Sequence, residues 1–271
     1  MLCEKQVFFW ILSLIDFPKK FLSKRFPKRV KDFLKPLYFP NIIYNIFYKK
    51  NLKEFFSEII KKHDLVFDIG ANIGIFSEVF IKLNAKVVAV EPQPKLVGIM
   101  KRKFKNNKRI NIFENGVSSK KGILIFYMNK KDLASSTFLK DWSEDERFLD
   151  GDWSRNIKVK VITLSDLIKK FGIPKYIKID VEGFEEKVLM GLNRSPAYIS
   201  FEFTKQFQNF LPGKKCIKIL QKINKNYLFN YTTSEYYEFK LHKWVSSRDI
   251  ILEIENNPKN KLVGEIFAKL S

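Results

Sequence analysis

From about residue 64 onward, short runs of apolar residues alternate along the chain with segments whose apolar residues recur at helical spacing. Short apolar runs indicate buried strands, and apolar residues three or four positions apart indicate helices with one buried face. The pattern predicts strands at 65–69, 86–90 and 110–113 and helices at 75–83 and 94–106. This alternation is typical of a mostly parallel sheet with helices on both faces.

The remainder of the chain continues the pattern after a polar interruption at residues 129–156. A segment this long between regular elements usually has a function or is disordered. Before it, residues 122–128 are predicted to form a hairpin strand. Further strands are predicted at 159–162, 176–179, 198–203, 227–232 and 263–268, and further helices near 165–170, at 184–192 and at 214–223.

The composition is that of a globular protein with one main domain, since 45% of the residues are apolar and 29% are charged. Cys3 and Cys216 lie far apart, with no Cys-x-x-Cys motif and no neighbouring histidine. This arrangement argues against a disulfide framework and against a zinc site. A reducing, cytoplasmic location fits the cysteine usage.

The formal net charge of +21 leaves two interpretations open. A strongly basic protein often binds a polyanion such as nucleic acid or an anionic membrane. Lys, Asn, Ile and Phe are all abundant, however, and all have AT-rich codons, so biased genome composition would produce the same charge. The charge alone therefore identifies no partner.

The N-terminal region combines an apolar run at residues 7–15 with a basic cluster at 19–35. The run is shorter than the 20 or so residues that cross a bilayer, and no small-residue cleavage site follows it. The region either lies on an anionic membrane surface through residues 1–35 or packs on the main domain as a helix. We expect a basic and apolar helical extension at 1–60 and a main domain at 61–271, in the cytoplasm or peripherally on the inner membrane surface.

A first candidate site is the motif VFDIGANIG at residues 66–74, which joins a strand to a helix through glycines. Such sheets bind ligands at the carboxyl ends of their strands. The spacing of Gly70 and Gly74 differs from the Gly-x-Gly-x-x-Gly of dinucleotide sites, and Asp68 disfavours a pyrophosphate. A cationic ligand without phosphate, such as S-adenosylmethionine, fits better. The predicted cofactor-binding residues are Asp68, Gly70, Asn72 and Gly74.

Two polar residues at the ends of the next strands extend this predicted site. Glu91 ends the second strand, where a carboxylate can accept hydrogen bonds from both ribose hydroxyls of an adenosine. Asn115 follows the third strand and is predicted to contact the adenine, although an asparagine there is also common in a simple turn.

A second candidate site is the motif KIDVEGFEE at residues 178–186, in which a strand again runs into acids and a glycine. Glu185 and Glu186 are explained by the helix dipole, which favours acids in the first turn of a helix. Asp180 and Glu182 precede the helix, on the turn above the strand, and are predicted to be functional.

The two motifs resemble those of the FkbM family of S-adenosylmethionine-dependent methyltransferases, as does VITLSDL before the second motif. The resemblance spans about residues 64–203 and implies a class I, Rossmann-like methyltransferase fold. It also implies methylation of hydroxyl groups on sugars, glycolipids or polyketides. The glycine-loop residues would then line the methionine part of the cofactor, and Glu91 would bind its ribose. The N-terminal 60 residues and the polar segment are outside the resemblance.

Methyl transfer to an alcohol requires positioning and a base but no covalent nucleophile. An Asn-Pro-Pro-Tyr motif for amino acceptors is absent, as is a Pro-Cys pair for cytosine methylation, so the sequence favours an oxygen acceptor. Asp180 is the first candidate for the base and Glu182 the second. His63 and His242 are better explained as structural residues.

The acids also allow a metal site, which is not favoured. Asp180 and Glu182, with Glu202 at the end of the next strand, are hard oxygen ligands of the kind that magnesium prefers.

Residues of the polar segment are predicted to bind the acceptor. Ser135, Ser136 and Thr137 offer hydroxyl groups, while Trp142 and Trp153 offer flat faces for stacking on sugar rings. The alternative roles are a polar loop and aromatic anchors that hold it.

We therefore expect an O-methyltransferase acting on a carbohydrate, as part of a surface glycan or its lipid-linked precursor. An RNA methyltransferase is the alternative suggested by the charge, but no RNA-binding module or nucleobase motif accompanies it, which argues against a nucleic-acid partner. A non-catalytic membrane-associated binding protein with the same fold is a third hypothesis. The intact Asp68, Gly70 and Glu91 argue against it.

Overall fold

The computed structural model describes residues 39–141, 150–205, 210–233, 237–259 and 262–271. The helices are α1 Phe39–Ile59, α2 Ile75–Lys82, α3 Pro94–Lys103, α4 Leu164–Phe171, α5 Glu185–Leu189, α6 Leu211–Ile223 and α7 Ser247–Asn256. The strands are β1 Leu65–Ile69, β2 Lys86–Glu91, β3 Ile110–Glu114, β4 Gly116–Val117, β5 Gly122–Met128, β6 Arg155–Ile162, β7 Tyr176–Ile179, β8 Tyr198–Thr204, β9 Tyr227–Thr233 and β10 Val263–Leu270.

Seven of the strands form the main sheet, in the order β3-β2-β1-β7-β8-β10-β9. All neighbours are parallel except β10, which runs antiparallel to both β8 and β9. The predicted mostly parallel sheet is therefore confirmed. The chain moves outward from β1 to β3 and then returns to the other side of β1 with β7. This reversal opens a crevice at the carboxyl ends of β1 and β7, where ligands bind in sheets of this type.

A second, three-stranded sheet has the order β4-β6-β5, with β5 and β6 antiparallel. Its buried apolar residues Phe126, Met128 and Val159 pack against one another. The alternation of strands along the chain did not indicate this division into two sheets. The polar segment follows β5, and its last two residues, 155 and 156, already belong to β6. Its described part contains a 3-10 turn at Leu133–Ser135.

The end of α1 belongs to the same compact unit as the sheets, since that unit begins at Lys53. The ring of Phe55 lies 5.4 Å from that of Phe267 on β10, and the ring of Phe56 lies 5.5 Å from that of Tyr176 on β7, measured between centroids. These aromatic contacts cover the sheet with apolar surface on this side, which stabilises the fold.

Some predictions concern residues that the structure does not describe, and one helix of the structure was not predicted. The apolar run 7–15, the basic cluster 19–35 and Trp142 lie outside the described residues. Helix α7 was not predicted; it begins after Ser246, whose hydroxyl accepts a hydrogen bond from the Asp249 N–H. Within the described ranges, no helix is both long and apolar enough to cross a membrane.

Candidate functional site

A cavity of about 390 Å³ lies at the carboxyl ends of β1, β2 and β7, within the size range of small-molecule sites. The second motif and the polar segment close its sides. Its lining residues are Ile69–Ile73, Ile75, Phe76, Val90–Gln93, Asn115–Val117, Phe126, Ala134, Ser136, Phe138 and Asp180–Glu182.

The glycine loop lies against the backbone of the second motif. Gly70 has a φ of +79°, and a Cβ added there would lie 1.7 Å from the Asp180 carbonyl oxygen, so only glycine fits. The N–H groups of Gly70 and Ala71 donate to the Val90 carbonyl oxygen at 2.9 and 3.1 Å. Because these donors already have protein acceptors, the start of the loop is not a free backbone cradle for a pyrophosphate.

Glu91 lies in the cavity wall with its carboxylate fixed by two backbone donors. Its Oε2 accepts from the Asn72 N–H and its Oε1 from the Gln93 N–H, both at 3.0 Å. The residue is 3% exposed, and this burial raises its pKa to about 7, although the two backbone donors and the Gln93 side chain oppose the shift. Each carboxylate oxygen has a further lone pair with which to accept a ribose hydroxyl.

Two of the predicted cofactor residues lie behind the loop and do not line the cavity. Asp68 is 1% exposed and accepts a hydrogen bond from the Ser77 hydroxyl at 2.6 Å; burial raises the pKa of Asp68. Gly74 precedes α2 with a φ of +75°, and a Cβ added there would lie 2.8 Å from the Phe104 ring. The structure therefore gives Asp68 and Gly74 roles in holding the loop, and a direct contact of either with cofactor stays a prediction.

The turn of the second motif is held by Glu185. Its buried carboxylate accepts from the N–H groups of Val181 and Gly183 through Oε1, at 3.1 and 3.2 Å. Burial raises the pKa of Glu185 to about 7. These bonds support the structural interpretation of Glu185 and leave Asp180 and Glu182 on the cavity wall.

Lys178 is a functional candidate that the sequence reasoning missed. It is 3% exposed, its Nζ lies 2.7 Å from Asp180 Oδ2, and the same nitrogen lies 4.2 Å from the centre of the Phe76 ring. Burial alone would lower the pKa of Lys178, but the carboxylates of Asp180, Glu265 and Asp68 outweigh it and raise the pKa. The available signal was a lysine in the middle of an otherwise apolar strand, where a charge requires buried partners.

A smaller cavity of about 70 Å³ adjoins the ends of β7, β8, β9 and β10. Asp180 lines this cavity as well as the large one. Glu265, on β10, accepts hydrogen bonds from the Ser200 hydroxyl and from the Tyr237 hydroxyl. Most of the residues that line it have polar or charged side chains; the lining residues are Lys178, Asp180, Glu202, Thr232, Thr233, Tyr237, Val263, Gly264 and Glu265.

Three carboxylates meet beside this smaller cavity. Oxygen atoms of Asp180, Glu182 and Glu202 lie within 4.8 Å of one another. Burial, followed by the negative charges of Asp180 and Glu182, raises the pKa of Glu202 well above its usual range. Such a group can share a proton or hold a hard divalent cation. The cation stays a prediction.

The predicted acceptor residues of the polar segment divide into lining and structural positions. Ser136 lines the large cavity, and its hydroxyl accepts from the Asn129 N–H at 3.0 Å. Ser135 accepts from the Asn129 side-chain amide at 3.0 Å. Thr137 donates to the Glu182 carbonyl oxygen at 2.7 Å and so joins the segment to the second motif. Their contact with an acceptor stays a prediction.

Asn115 lines the large cavity, as expected for an adenine contact, while its side-chain nitrogen donates to the Lys160 carbonyl oxygen at 3.1 Å. Trp153 is half-buried and is not among the residues that line either cavity. A sugar-stacking role for Trp153 stays a prediction.

Comparison with protein families decides the class of this site. The profile of a family described as the methyltransferase FkbM domain matches residues 68–231, which is more than half of the chain and includes the second motif and all but the first two residues of the first. The chain belongs to this family. It is an S-adenosylmethionine-dependent methyltransferase with a class I fold.

Solved structures with related architecture are distant in sequence. A precorrin-6y C5,15-methyltransferase from Geobacter metallireducens is 14% identical, with a TM-score of 0.43 over 81% of this chain and 86% of that chain. A TehB-like methyltransferase from Corynebacterium glutamicum is 10% identical, with a TM-score of 0.43 over 90% of this chain and 100% of that one. Fibrillarin from Aeropyrum pernix, with natively bound S-adenosyl-L-methionine, is 11% identical, with a TM-score of 0.39 over 78% of this chain and 68% of that chain. Comparison with curated proteins gives no match.

The position and pKa of Glu91 predict how cofactor affinity depends on pH. A ribose hydroxyl donates more strongly to a carboxylate than to a neutral acid, so binding favours the ionised form. Since the pKa of Glu91 is about 7, affinity for S-adenosylhomocysteine should rise between about pH 6 and pH 8 and then level off. At about pH 8, Glu91→Gln should lower the affinity for S-adenosylhomocysteine about 10- to 100-fold. The affinity of this variant should no longer rise with pH.

Isothermal titration calorimetry across this pH range measures both effects. Glu186→Gln is the matched control, because Glu186 is not among the residues that line either cavity. A flat profile for the wild-type protein would contradict the role of Glu91.

Proposed function

We propose that this methyltransferase transfers the methyl group to a hydroxyl oxygen of a carbohydrate, either on a glycan or on a lipid-linked glycan precursor. One observation carries the proposal: Asp180 lines both the cofactor-sized cavity and the smaller one, most of whose lining residues have polar side chains. A base in that position can take the proton of an acceptor hydroxyl that lies between the two cavities and faces the methyl group in the large one.

The reaction requires an acceptor oxygen aligned with the methyl carbon and a group that takes the hydroxyl proton. Asp180 is proposed as that base, with Glu182 positioning the acceptor from the same turn. When bound, S-adenosylmethionine would supply an electrophilic methyl group on a thioether leaving group. The Asp180 carboxylate would take the proton of the acceptor hydroxyl as that oxygen bonds to the methyl carbon and the bond from sulfur to the methyl carbon breaks. Lys178 holds Asp180 in place through its 2.7 Å ion pair.

The wall of the smaller cavity supports a hydroxyl group as the part of the acceptor that enters it. At about 70 Å³ the cavity has room for a hydroxyl-bearing arm of the acceptor, and a sugar ring would lie outside it. Thr232, Thr233 and Tyr237 contribute hydroxyl groups to it, and Glu202 contributes a carboxylate. Hydroxyls can both donate and accept, and a carboxylate accepts strongly, so this set matches the hydroxyls of a sugar.

Cofactor binding is proposed for four of the predicted residues that line the large cavity: Gly70, Asn72, Glu91 and Asn115. Gly70 supplies close backbone approach, Glu91 the ribose contact and Asn115 the adenine contact. Asn72 acts through its N–H, which holds the Glu91 carboxylate.

To test the proposal, the purified protein is combined with an extract of cells that lack this protein. S-adenosylmethionine with a labelled methyl group is then added. Label should enter glycan or lipid-linked glycan, and mass spectrometry should show these species one methylene lighter in cells without the protein. Incorporation into RNA instead would favour the RNA alternative, which the net charge of +21 suggests. Cofactor binding without incorporation into any fraction would favour a non-catalytic protein.

The same assay tests the carboxylate trio as a metal site. If Asp180, Glu182 and Glu202 act as base and positioning groups alone, a chelator should leave turnover unchanged. Loss of turnover with the chelator, restored by Mg²⁺, would assign a cation to these residues.

We also propose that residues 1–35 attach the protein to anionic membrane surfaces, on the strength of the apolar run and the basic cluster in the sequence. Vesicles containing anionic lipid should sediment the full chain, and a chain lacking residues 1–35 should stay in solution with its cofactor affinity intact. Added salt should weaken attachment because it screens the basic residues. An insoluble truncated chain would instead indicate that the segment packs on the main domain.

A further inference from the structure

The side-chain amide of Gln93 has an unexplained orientation in the wall of the large cavity. Gln93 is 3% exposed, and its Nε2 donates to the Leu133 carbonyl oxygen at 2.9 Å. Its Oε1 is buried and has no hydrogen-bond partner among the residues that the structure describes. A buried polar atom without a partner is costly, so native proteins seldom retain one without a reason.

Two hydrogen bonds fix Gln93, one from its backbone and one from its side chain. The Gln93 N–H donates to Glu91 Oε1 at 3.0 Å, which fixes the backbone beside the ribose-binding candidate. The bond from Nε2 to Leu133 fixes the plane of the amide, and the position of Oε1 follows because the amide group is planar. Helix capping does not account for the side chain: Gln93 precedes α3 but makes no side-chain capping bond.

We propose that Gln93 is a cofactor-binding residue whose Oε1 accepts a hydrogen bond from the adenosine half of S-adenosylmethionine. That half carries O–H donors on the ribose and an N–H donor on the adenine, and both Glu91 and Asn115 line the same cavity as Gln93. The bond satisfies the orphan oxygen when the cofactor is bound. Through Leu133, it also joins the adenosine site to the polar segment. The inference rests on cofactor binding and is independent of the acceptor.

The first test compares two matched variants by calorimetry with S-adenosylhomocysteine. Gln93→Met keeps the length of the side chain and removes the amide, and affinity should fall about 3- to 10-fold, the usual effect of one neutral hydrogen bond. Gln221→Met is the control, because the Gln221 amide likewise donates to a carbonyl oxygen, that of Tyr227, at 2.9 Å. Gln221 is not among the residues lining the cavity, and its replacement should leave affinity unchanged.

The second test separates a ligand contact from a structural role. The three analogues of S-adenosylhomocysteine are the 2′-deoxy form, the 3′-deoxy form and the form with unsubstituted purine in place of adenine, each of which lacks one donor group. For one analogue, the affinity of the wild-type protein should be lower than its affinity for S-adenosylhomocysteine. Gln93→Met should bind that analogue no more weakly than it binds S-adenosylhomocysteine. That analogue identifies the donor. Equal fold losses in both proteins for all three analogues would overturn the proposal.

A wild-type measurement covers the case in which the variant does not fold. In a crystal structure of the unmodified protein with S-adenosylhomocysteine, Oε1 should lie within about 3.2 Å of a ligand nitrogen or oxygen. An Oε1 bound only to water, or to a protein donor that has moved, would equally overturn the assignment.

Discussion

Asp180→Asn should lower turnover by about 10²–10⁴-fold, the usual contribution of general acid–base catalysis, while cofactor affinity barely changes. The substitution keeps the shape of the side chain and removes the proton acceptor at the boundary of the two cavities. Steady-state kinetics and calorimetry on the same preparation separate the two quantities. Glu182→Gln should cause a smaller loss, mainly in KM for the acceptor if that residue only positions it.

Glu186→Gln is again the control, since it removes an acid from the same motif without altering the cavity wall. Its turnover should match that of wild type. If Asp180 only stabilised the turn before α5, Asp180→Asn would lower the melting temperature and leave turnover per folded molecule intact. A destabilised but fully active Asp180→Asn enzyme would therefore exclude Asp180 as the base.

Lys178→Met should lower the free energy of unfolding by about 3–5 kcal/mol, because it leaves buried carboxylates without their cation. Asp68 and Glu265 lie in the field of Lys178, which opposes the increase in pKa that burial causes in both residues. Without the lysine, these acids must be protonated or remain as uncompensated charges. Urea denaturation at fixed pH measures the loss, which should exceed that of any exposed lysine.

The loss should depend on pH with a defined sign. The pKa values of Asp68 and Glu265 are raised in the folded protein, so stability decreases as pH rises through the window between the unfolded and folded values. Removing Lys178 raises both values further, and the loss should be smaller near pH 5 than near pH 8.

A double variant and a surface control complete this experiment. Lys178→Met with Glu265→Gln should recover part of the loss by removing one of the stranded charges. Lys158→Met, an exposed lysine on β6, should change stability by no more than about 0.5 kcal/mol. Equal effects of Lys178→Met and Lys158→Met would show that the buried cluster contributes nothing to the fold.

The sequence by itself determined the order of the strands and helices that form the cofactor site. Strands β1 and β7 have the predicted bounds, and β2 and α2 agree with their predicted bounds to within a residue. These elements follow from the spacing of apolar residues over a few positions, which is a local property of the chain. The two motifs also indicated the family and the cofactor, because their acids and glycines are adjacent in sequence.

Only the tertiary structure decided which polar residues face the cavities. Gly70 and Glu91 line the large cavity, while Asp68, in the same motif as Gly70, lies behind the loop against Ser77. Within one motif the spacing of residues does not fix the direction of each side chain. That direction depends on how the loop packs against the Asp180 backbone.

The partners of Lys178 could not be predicted from the sequence either. Glu265 comes from β10, which inserts antiparallel between β8 and β9 and sets Glu265 opposite Glu202 in the ladder. Strand order and register join segments that are distant along the chain, and no local pattern specifies them. The buried charge cluster beneath Asp180 therefore exists only once the sheet has assembled, because burial and the distances between strands together set the pKa of each member.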